Sequence, residues 1–375
     1  MTPAPIPFID LSSQRDLIRP EIDMAIKRVI DSGQYILGPE ITALESELAA
    51  FCGAKHVLSC ANGTDALALP IMALDLGPGD AVFVPAFTFV ATAEVVTWFD
   101  ATPVFVDVEP VSFNMNTTSL EEAIIQARED GLSPKGIIPV DLFGHPADYP
   151  RIHAIADSHN LWVIGDAAQS FGGRLNNKSV GSLTSITATS FFPAKPLGCY
   201  GDGGAVFCDD ADLYKVMESC RVHGQGSHRY EHVRIGMNGR MDAIQAAILR
   251  EKLKIFQDEI EARQRVARRY NQMLAEVAVV PHVAEHTTSA WAQYTIVVED
   301  RVAVQDICQA HNVPTGVYYP IPLSKQPAYE RYPTAPNGIP VTERLAESVI
   351  SLPMHPYLTE CDQERVVTAV REALA

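Results

Sequence analysis

The sequence predicts an α/β protein: a mostly parallel sheet with helices on both faces, followed by a smaller α+β unit. Two observations carry this. Between about residues 55 and 208 short apolar runs alternate with helical stretches, a pattern that calls for crossover connections and so for parallel strands. After Arg240 the character changes to long amphipathic stretches rich in Arg and Glu, with isolated strand-like runs behind them. The expected division is therefore residues 1–240, a large domain opened by a helical segment, and residues 241–375, interface helices and a small C-terminal domain.

The strand-like runs are 55–59, 81–84, 103–108, 136–140, 161–165, 186–190 and 204–208, all short and apolar or β-branched. Helical stretches at 64–76, 91–99, 119–129 and 148–160 lie between most of them. Residues 241–254 and 257–277 read as two helices. A strand (292–298), a helix (303–311), a strand (315–319), a Pro-rich loop through Pro340 and a closing helix (360–374) complete the chain. Residues 81–99 are the one membrane-like run. They contain Pro85, Glu94 and three threonines between Asp80 and Asp100, which makes them a buried strand and then a buried helix.

A net charge of −17 argues against nucleic acid or an anionic membrane as the main partner, while leaving room for a small anionic ligand held by local charge. The seven cysteines are dispersed with no CxxC pair, as expected of free thiols in a reducing compartment, and no metal is expected. The first ten residues show no basic region followed by an apolar one, so no secretory signal is expected and the cytoplasm is the expected location.

The most informative stretch is Ser190-Phe-Phe-Pro-Ala-Lys195-Pro-Leu-Gly198-Cys-Tyr-Gly201-Asp-Gly203-Gly204. It holds one lysine between Pro193 and Pro196, just past a strand. A lysine kept from solvent on a short rigid loop suits amine chemistry, above all a Schiff base with an aldehyde cofactor. Asp166 ends another strand, where it is either a helix cap or the charge partner that keeps a pyridine ring protonated, with Gln169 in reach of the ring hydroxyl. Gly63 and Thr64 follow a strand and open a helix, a geometry that serves a phosphate or simply caps the helix. Phe89 stands just past a strand end as a core aromatic or a stacking wall. Residues 221–240 carry four arginines and three histidines against Glu231 alone, a solvated basic face or an anion-binding strip, with residues 236–240 its most ligand-like part. Singly each has a plain structural reading; together they place an amine, a carboxylate, a phosphate site and a ring wall at successive strand ends.

With these motifs, together with Gly33-Gln-Tyr-Ile-Leu-Gly-Pro-Glu40, Asn238-Gly-Arg-Met-Asp242 and Ser351-Leu-Pro-Met-His-Pro, the chain resembles the DegT/DnrJ group of sugar aminotransferases over nearly its whole length. The resemblance implies the aspartate aminotransferase-like fold type I and pyridoxal 5′-phosphate, cycling through pyridoxamine 5′-phosphate. It implies Lys195 as the Schiff-base lysine and proton shuttle, and Asp166 on the pyridine nitrogen. It implies Gln169 on the cofactor oxygen, Gly63, Thr64 and Ser190 on the phosphate, Phe89 on the ring, and Asn238 reaching the phosphate of the neighbouring subunit of a homodimer.

Within that group, residues 190–204, His223-Gly-Gln225 and Tyr319-Pro-Ile-Pro-Leu-Ser-Lys325 look most like enzymes that aminate the 3-keto group of UDP-N-acetyl-glucuronic acid, with L-glutamate as donor. Arg240, helped by His223 or Lys325, is the expected partner of the sugar carboxylate. Position 318 is often histidine in such enzymes and is tyrosine here. If Tyr318, with Tyr319, touches the sugar, the alternative is a 3-keto- or 4-keto-6-deoxy nucleotide sugar. Related dehydratases carry histidine in place of Lys195, which sets them aside, and a regulatory protein without turnover is the alternative of another class.

Overall fold

In the computed structural model, which describes residues 5–375, seven strands form the central sheet: β1 (His56–Cys60), β2 (Asp80–Pro85), β3 (Thr102–Val106), β4 (Ser133–Ile137), β5 (Trp162–Asp166), β8 (Ile186–Ser190) and β9 (Gly204–Cys208). Their order across the sheet is β1-β9-β8-β5-β4-β2-β3. β6 (Arg174–Leu175) and β7 (Lys178–Ser179) make a small hairpin to one side. The pairings β8–β5, β5–β4, β4–β2 and β2–β3 are parallel, and β9 runs antiparallel to both β1 and β8. The reversal has a simple cause. No helix crosses over between β8 and β9, so the chain turns back at the carboxyl end of β8 and must return antiparallel. The turning segment is the loop that bears Lys195.

Helices α4 (Gly63–Ala73), α5 (Ala91–Thr97), α6 (Thr117–Glu129) and α7 (Tyr149–His159) connect the parallel strands, and α8 (Ala211–Arg221) follows β9. One core packs α4, α5 and α8 on one face of the sheet, around Leu67, Ile71, Val96 and Met217. Another packs α6 and α7 on the opposite face, around Ile124, Ile152 and Val163. Strand β2 is buried from Ala81 to Pro85, which is why its sequence is a continuous apolar run rather than an alternating one. Before the sheet come α1 (Leu11–Leu17), α2 (Arg19–Ser32) and α3 (Pro39–Cys52). Asp10 caps α1 by accepting from the N–H groups of Ser12 and Ser13, and Gly33 and Gly53 end α2 and α3 in the left-handed region.

The two helices expected at 241–254 and 257–277 are a single helix, α9 (Ala243–Leu274). Nothing in 243–274 breaks a helix, since it contains neither Gly nor Pro, and the polar pair Gln257-Asp258 lies on the exposed side while Phe256 and Ile260 are buried. The first half of α9 packs with α3 and Phe207 of the sheet, through Ala246, Leu249 and Phe256. Its second half belongs to a separate core with β11 (Tyr294–Val297), α10 (Arg301–Ala310), β12 (Val349–Leu352) and α12 (Glu360–Ala373), around Tyr270, Tyr294, Ile350 and Val366. A short strand, β10 (Thr287–Thr288), adds to the β6–β7 hairpin, and α11 (Pro340–Ser348) precedes β12.

The strand expected at 315–319 is reduced to one bridge, Gly316 to Ser351, and Tyr319 instead packs against Phe87 and Phe89 and bonds Gln169. Helices α8 and α11 and strand β12 are additions to the sequence reading. All seven cysteines are free, six of them buried and Cys361 exposed. Among the described residues no helix is long and apolar enough to cross a membrane, and no cluster of His, Cys, Asp and Glu could hold a metal ion.

Candidate active site

The carboxyl ends of the parallel strands meet at one edge of the sheet, where such folds place ligands. Register builds one half of the site. Cys60, the last residue of β1, pairs with Gly204, which pairs in turn with Ser190, the last residue of β8. Gly204 has no side chain, and a Cβ there would lie 2.3 Å from the Asn62 carbonyl oxygen. The turn before α4 therefore folds across the end of the sheet. Asn62 caps α4 by accepting from the Asp65 N–H at 2.8 Å, which leaves the first N–H groups of the helix aimed outward. A Cβ on Gly63 would stand 2.7 Å from the Ser190 Cβ, so only glycine permits this closeness. The Ser190 hydroxyl accepts from the Phe192 N–H at 3.2 Å and keeps its own O–H to donate.

Asp166 ends β5 and is buried. Its Oδ2 accepts from the Thr92 hydroxyl at 2.8 Å and its Oδ1 from the Ala168 N–H at 3.1 Å. Burial raises its pKa, against the pull of those two bonds and of the Lys195 ammonium. Lys195 shows the reciprocal effect: burial lowers its pKa, and the Asp166 carboxylate works to raise it. Behind Asp166 lies a second buried carboxyl, Asp141, whose N–H donates to the Asp166 carbonyl at 3.0 Å. Burial pushes its pKa up to about 7 while it accepts from Ser170 and from the Ala147 N–H.

Gln169 uses its Oε1 to accept from the Phe143 N–H at 2.6 Å and its Nε2 to donate to the Tyr319 hydroxyl at 3.3 Å. Tyr319 is a neutral phenol, its pKa raised by burial and by the charge of Asp166. Its ring centroid lies 6.2 Å from that of Phe89, which is 56% exposed despite its size and so presents an open aromatic face. Tyr318 packs edge-on against Tyr319 and at a tilt against Phe8.

The structure thus joins Gln169, Tyr319 and Phe89 by a hydrogen bond and a ring contact, with Asp166 close enough for its charge to act on Lys195 and Tyr319, and brings Gly63 at the start of α4 against Ser190 at the end of β8. The other expected residues stand apart from this cluster. Asn238 is exposed, and its Oδ1 accepts from Arg240 Nε at 2.9 Å. Gly239 between them accepts from the Ala61 N–H at 3.0 Å, which seats the segment beside the turn before α4. His223 is exposed at φ +59°, its N–H bonded to the Met237 carbonyl. Lys325 is exposed and paired with Glu343 at 3.0 Å. Arg221, read as part of the basic strip, is instead buried and bonded to Glu45 and to the Ser59 carbonyl, both at 2.8 Å, so it is structural.

Thr92 and the Phe143 N–H escaped the sequence reading. A polar residue inside the apolar run 81–99 was the available signal for Thr92; for a backbone N–H there is none.

A pyridoxal phosphate needs a lysine near a carboxylate, a side-chain-free approach to its phosphate at a helix start, and an aromatic wall. Lys195 with Asp166, the Gly63–Ser190 approach at α4 and the open face of Phe89 fit that group. Fold and cluster together define a fold type I, pyridoxal phosphate-dependent transferase. The chain belongs to the DegT/DnrJ/EryC1/StrS aminotransferase family, which matches residues 16–371.

It is 49% identical to the UDP-2-acetamido-2-deoxy-3-oxo-D-glucuronate aminotransferase of Pseudomonas aeruginosa, over 94% of this chain and 96% of that one. A DegT DnrJ EryC1 StrS aminotransferase from Brucella abortus superposes with a TM-score of 0.97 at 51% identity, covering 99% of this chain and 100% of the other. A Bacillus subtilis protein, NtdA, solved with its cofactor PMP bound, superposes with a TM-score of 0.88 at 29% identity, over 100% and 86% of the two chains.

Proposed function

We propose that this aminotransferase moves the amino group of L-glutamate to C3 of UDP-2-acetamido-2-deoxy-3-oxo-glucuronate, as a cytoplasmic homodimer serving bacterial surface polysaccharide such as O-antigen. The observation that carries the reading is the 49% identity, over nearly the full length of both chains, with the Pseudomonas aeruginosa enzyme of that name. When bound, pyridoxal phosphate supplies the electron sink and the carbonyl that accepts the amino group. The chain's own residues do the rest. Lys195 holds the cofactor and then moves a proton at its Nζ, a task helped by a pKa below that of an exposed lysine. Asp166 keeps a proton on the ring nitrogen, with Thr92 fixing the carboxylate's orientation. The first N–H groups of α4, the Thr64 hydroxyl and Ser190 bind the phosphate. Phe89 would cover one face of the ring, and Gln169, held by Phe143 and Tyr319, has an amide N–H left that would serve the ring oxygen.

Asn238 and Arg240 are exposed or partly exposed in the single chain, as residues that complete a neighbouring subunit's site would be. A guanidinium there matches a substrate carboxylate, with His223, Lys325 and the Tyr318–Tyr319 pair as further sugar contacts. Tyr318 favours a second reading, in which its apolar ring faces the methyl group of a 6-deoxy sugar.

The test runs the sugar half-reaction backwards. The cofactor-loaded protein receives, separately, a UDP-linked 3-amino-uronate and nucleotide-linked 3- and 4-amino-6-deoxy sugars, while its visible absorbance is followed. Rapid loss of that absorbance with keto-sugar formation from the uronate alone supports the proposal. Conversion of the 6-deoxy sugars alone moves the assignment to the second reading.

A further inference from the structure

The longest helix of the protein reaches the Lys195 loop with two polar side chains that the chemistry described so far does not use. Lys252 is 1% exposed, an unusual place for an ammonium, and its Nζ donates a 2.6 Å hydrogen bond to the Gly198 carbonyl, three residues past Lys195. The same Nζ lies 4.3 Å from the ring centroid of Tyr200. Two turns earlier on α9, Gln245 accepts from the Tyr200 N–H at 2.9 Å. Burial lowers the Lys252 pKa to about 8, with Glu259 and the Cys199 thiol drawing it back up.

Packing alone does not call for this. Leu197 and Cys199 bury against Met241, Ala246 and Leu249, and an unbranched apolar side chain would fill the place of Lys252 without desolvating a charge. What the ammonium adds is direction. The loop's own backbone bonds run from Phe191 N–H to Gly203, from Lys195 N–H to Phe192 and from Cys199 N–H to Phe191, and none of them holds Gly198 or Tyr200. Gly198 makes the turn tight, since a Cβ there would meet the Pro193 carbonyl oxygen at 2.5 Å. Among the described residues, the hydrogen bonds that reach the arm between Lys195 and Gly201 from another helix or strand come from α9, at Gly198 and at Tyr200.

We propose that Lys252 and Gln245 form a clamp that positions the loop carrying Lys195, Lys252 by fixing the Gly198 carbonyl and Gln245 by fixing the Tyr200 N–H. Lys252 is thus a positioning residue, its Nζ engaged by the Gly198 carbonyl and the Tyr200 ring and acting through the loop. The inference rests on the proposed role of Lys195, yet the clamp itself is measurable without the cofactor.

The variant is Lys252→Met, which keeps the stem and removes the charge. In cofactor-free protein, amide hydrogen exchange over residues 194–202 is expected to rise about tenfold, with exchange of the central strands and the melting temperature unchanged or improved. In loaded protein the donor half-reaction slows about tenfold at unchanged donor KM, and the pH at which the visible absorbance titrates shifts. Gln245→Leu gives the same pattern at smaller size and decides the matter should Lys252→Met not fold. Wild-type exchange over 194–202 in whichever variant folds overturns the clamp. Raised exchange in a protein whose Lys195→Ala variant still turns over would leave the clamp standing and remove Lys195 from its proposed role.

Discussion

The hydroxyl of Thr92 donates a 2.8 Å hydrogen bond to Oδ2 of Asp166, and both residues are buried. A carboxylate desolvated at the end of β5 has its pKa raised, and this bond opposes the rise. Thr92→Val keeps the shape and removes the donor. The donor half-reaction is then expected to slow about tenfold, the value of one hydrogen bond to a charged group, and Thr92→Ser to recover most of it. Stopped-flow absorbance of the loaded protein measures both.

Lys195→Ala is expected to fold, bind cofactor weakly and lose all turnover above background; circular dichroism beside a product assay checks the pair of outcomes. Asp166→Asn removes the charge proposed to hold the ring-nitrogen proton, and its half-reaction should fall by about a hundredfold or more. A normal rate in that variant would take Asp166 out of its role.

The approach of α4 to the sheet depends on two glycines. Gly204→Ala puts a methyl against the Asn62 carbonyl and should cost about 1–3 kcal/mol of stability in urea titration. Gly63→Ala meets the Ser190 Cβ at 2.7 Å, an atom fixed by the backbone of β8, and so pushes the start of α4 away from Ser190. Its main effect should be on cofactor affinity, weakened about tenfold or more in a binding titration.

Arg240→Ala should raise KM for a sugar bearing a carboxylate by about tenfold or more, while leaving the glutamate half-reaction near its normal rate. An equal loss in both half-reactions would place Arg240 elsewhere in the mechanism.

His145 is buried with neither ring nitrogen hydrogen-bonded, edge-on to Trp291 at 4.7 Å, and burial lowers its pKa from 6.5 to about 4. The unfolded chain therefore takes up this proton first, and stability is lost as pH falls from about 6.5 to about 4. Asp141 acts in the opposite sense as pH rises from 3.8 to about 7, since its folded pKa is raised, but it is common to wild type and variant. His145→Phe should thus gain on wild type by about 2 kcal/mol between pH 6.5 and pH 5, read from urea unfolding at the two pH values.

Much of this was legible in the chain. The alternation of apolar runs marks all seven strands of the central sheet within a few residues, because burial on both faces leaves no choice of side chain. Lys195 and Asp166 stood out because a lysine between two prolines and an aspartate ending an apolar run have few plain explanations. Thr92 did not, because its meaning depends on the end of β5 meeting the start of α5, and nothing local to Thr92 records that neighbour. The two-helix reading of 241–277 failed at Ile255-Phe256, where the burial of Phe256 in the core carries one helix straight through.

The sequence by itself determined the α/β class and singled out the strand ends and the lysine proposed for the site, since periodicity and turn chemistry are local properties. Only the tertiary structure decided that Gly63 closes on Ser190, that Gln169 is held between Phe143 and Tyr319, that Arg221 is buried against Glu45, and that Lys252 reaches the Lys195 loop. Each of these joins residues far apart in the chain. Such contacts are selected by register and packing, whose free energy is shared over the whole core rather than written at any one position.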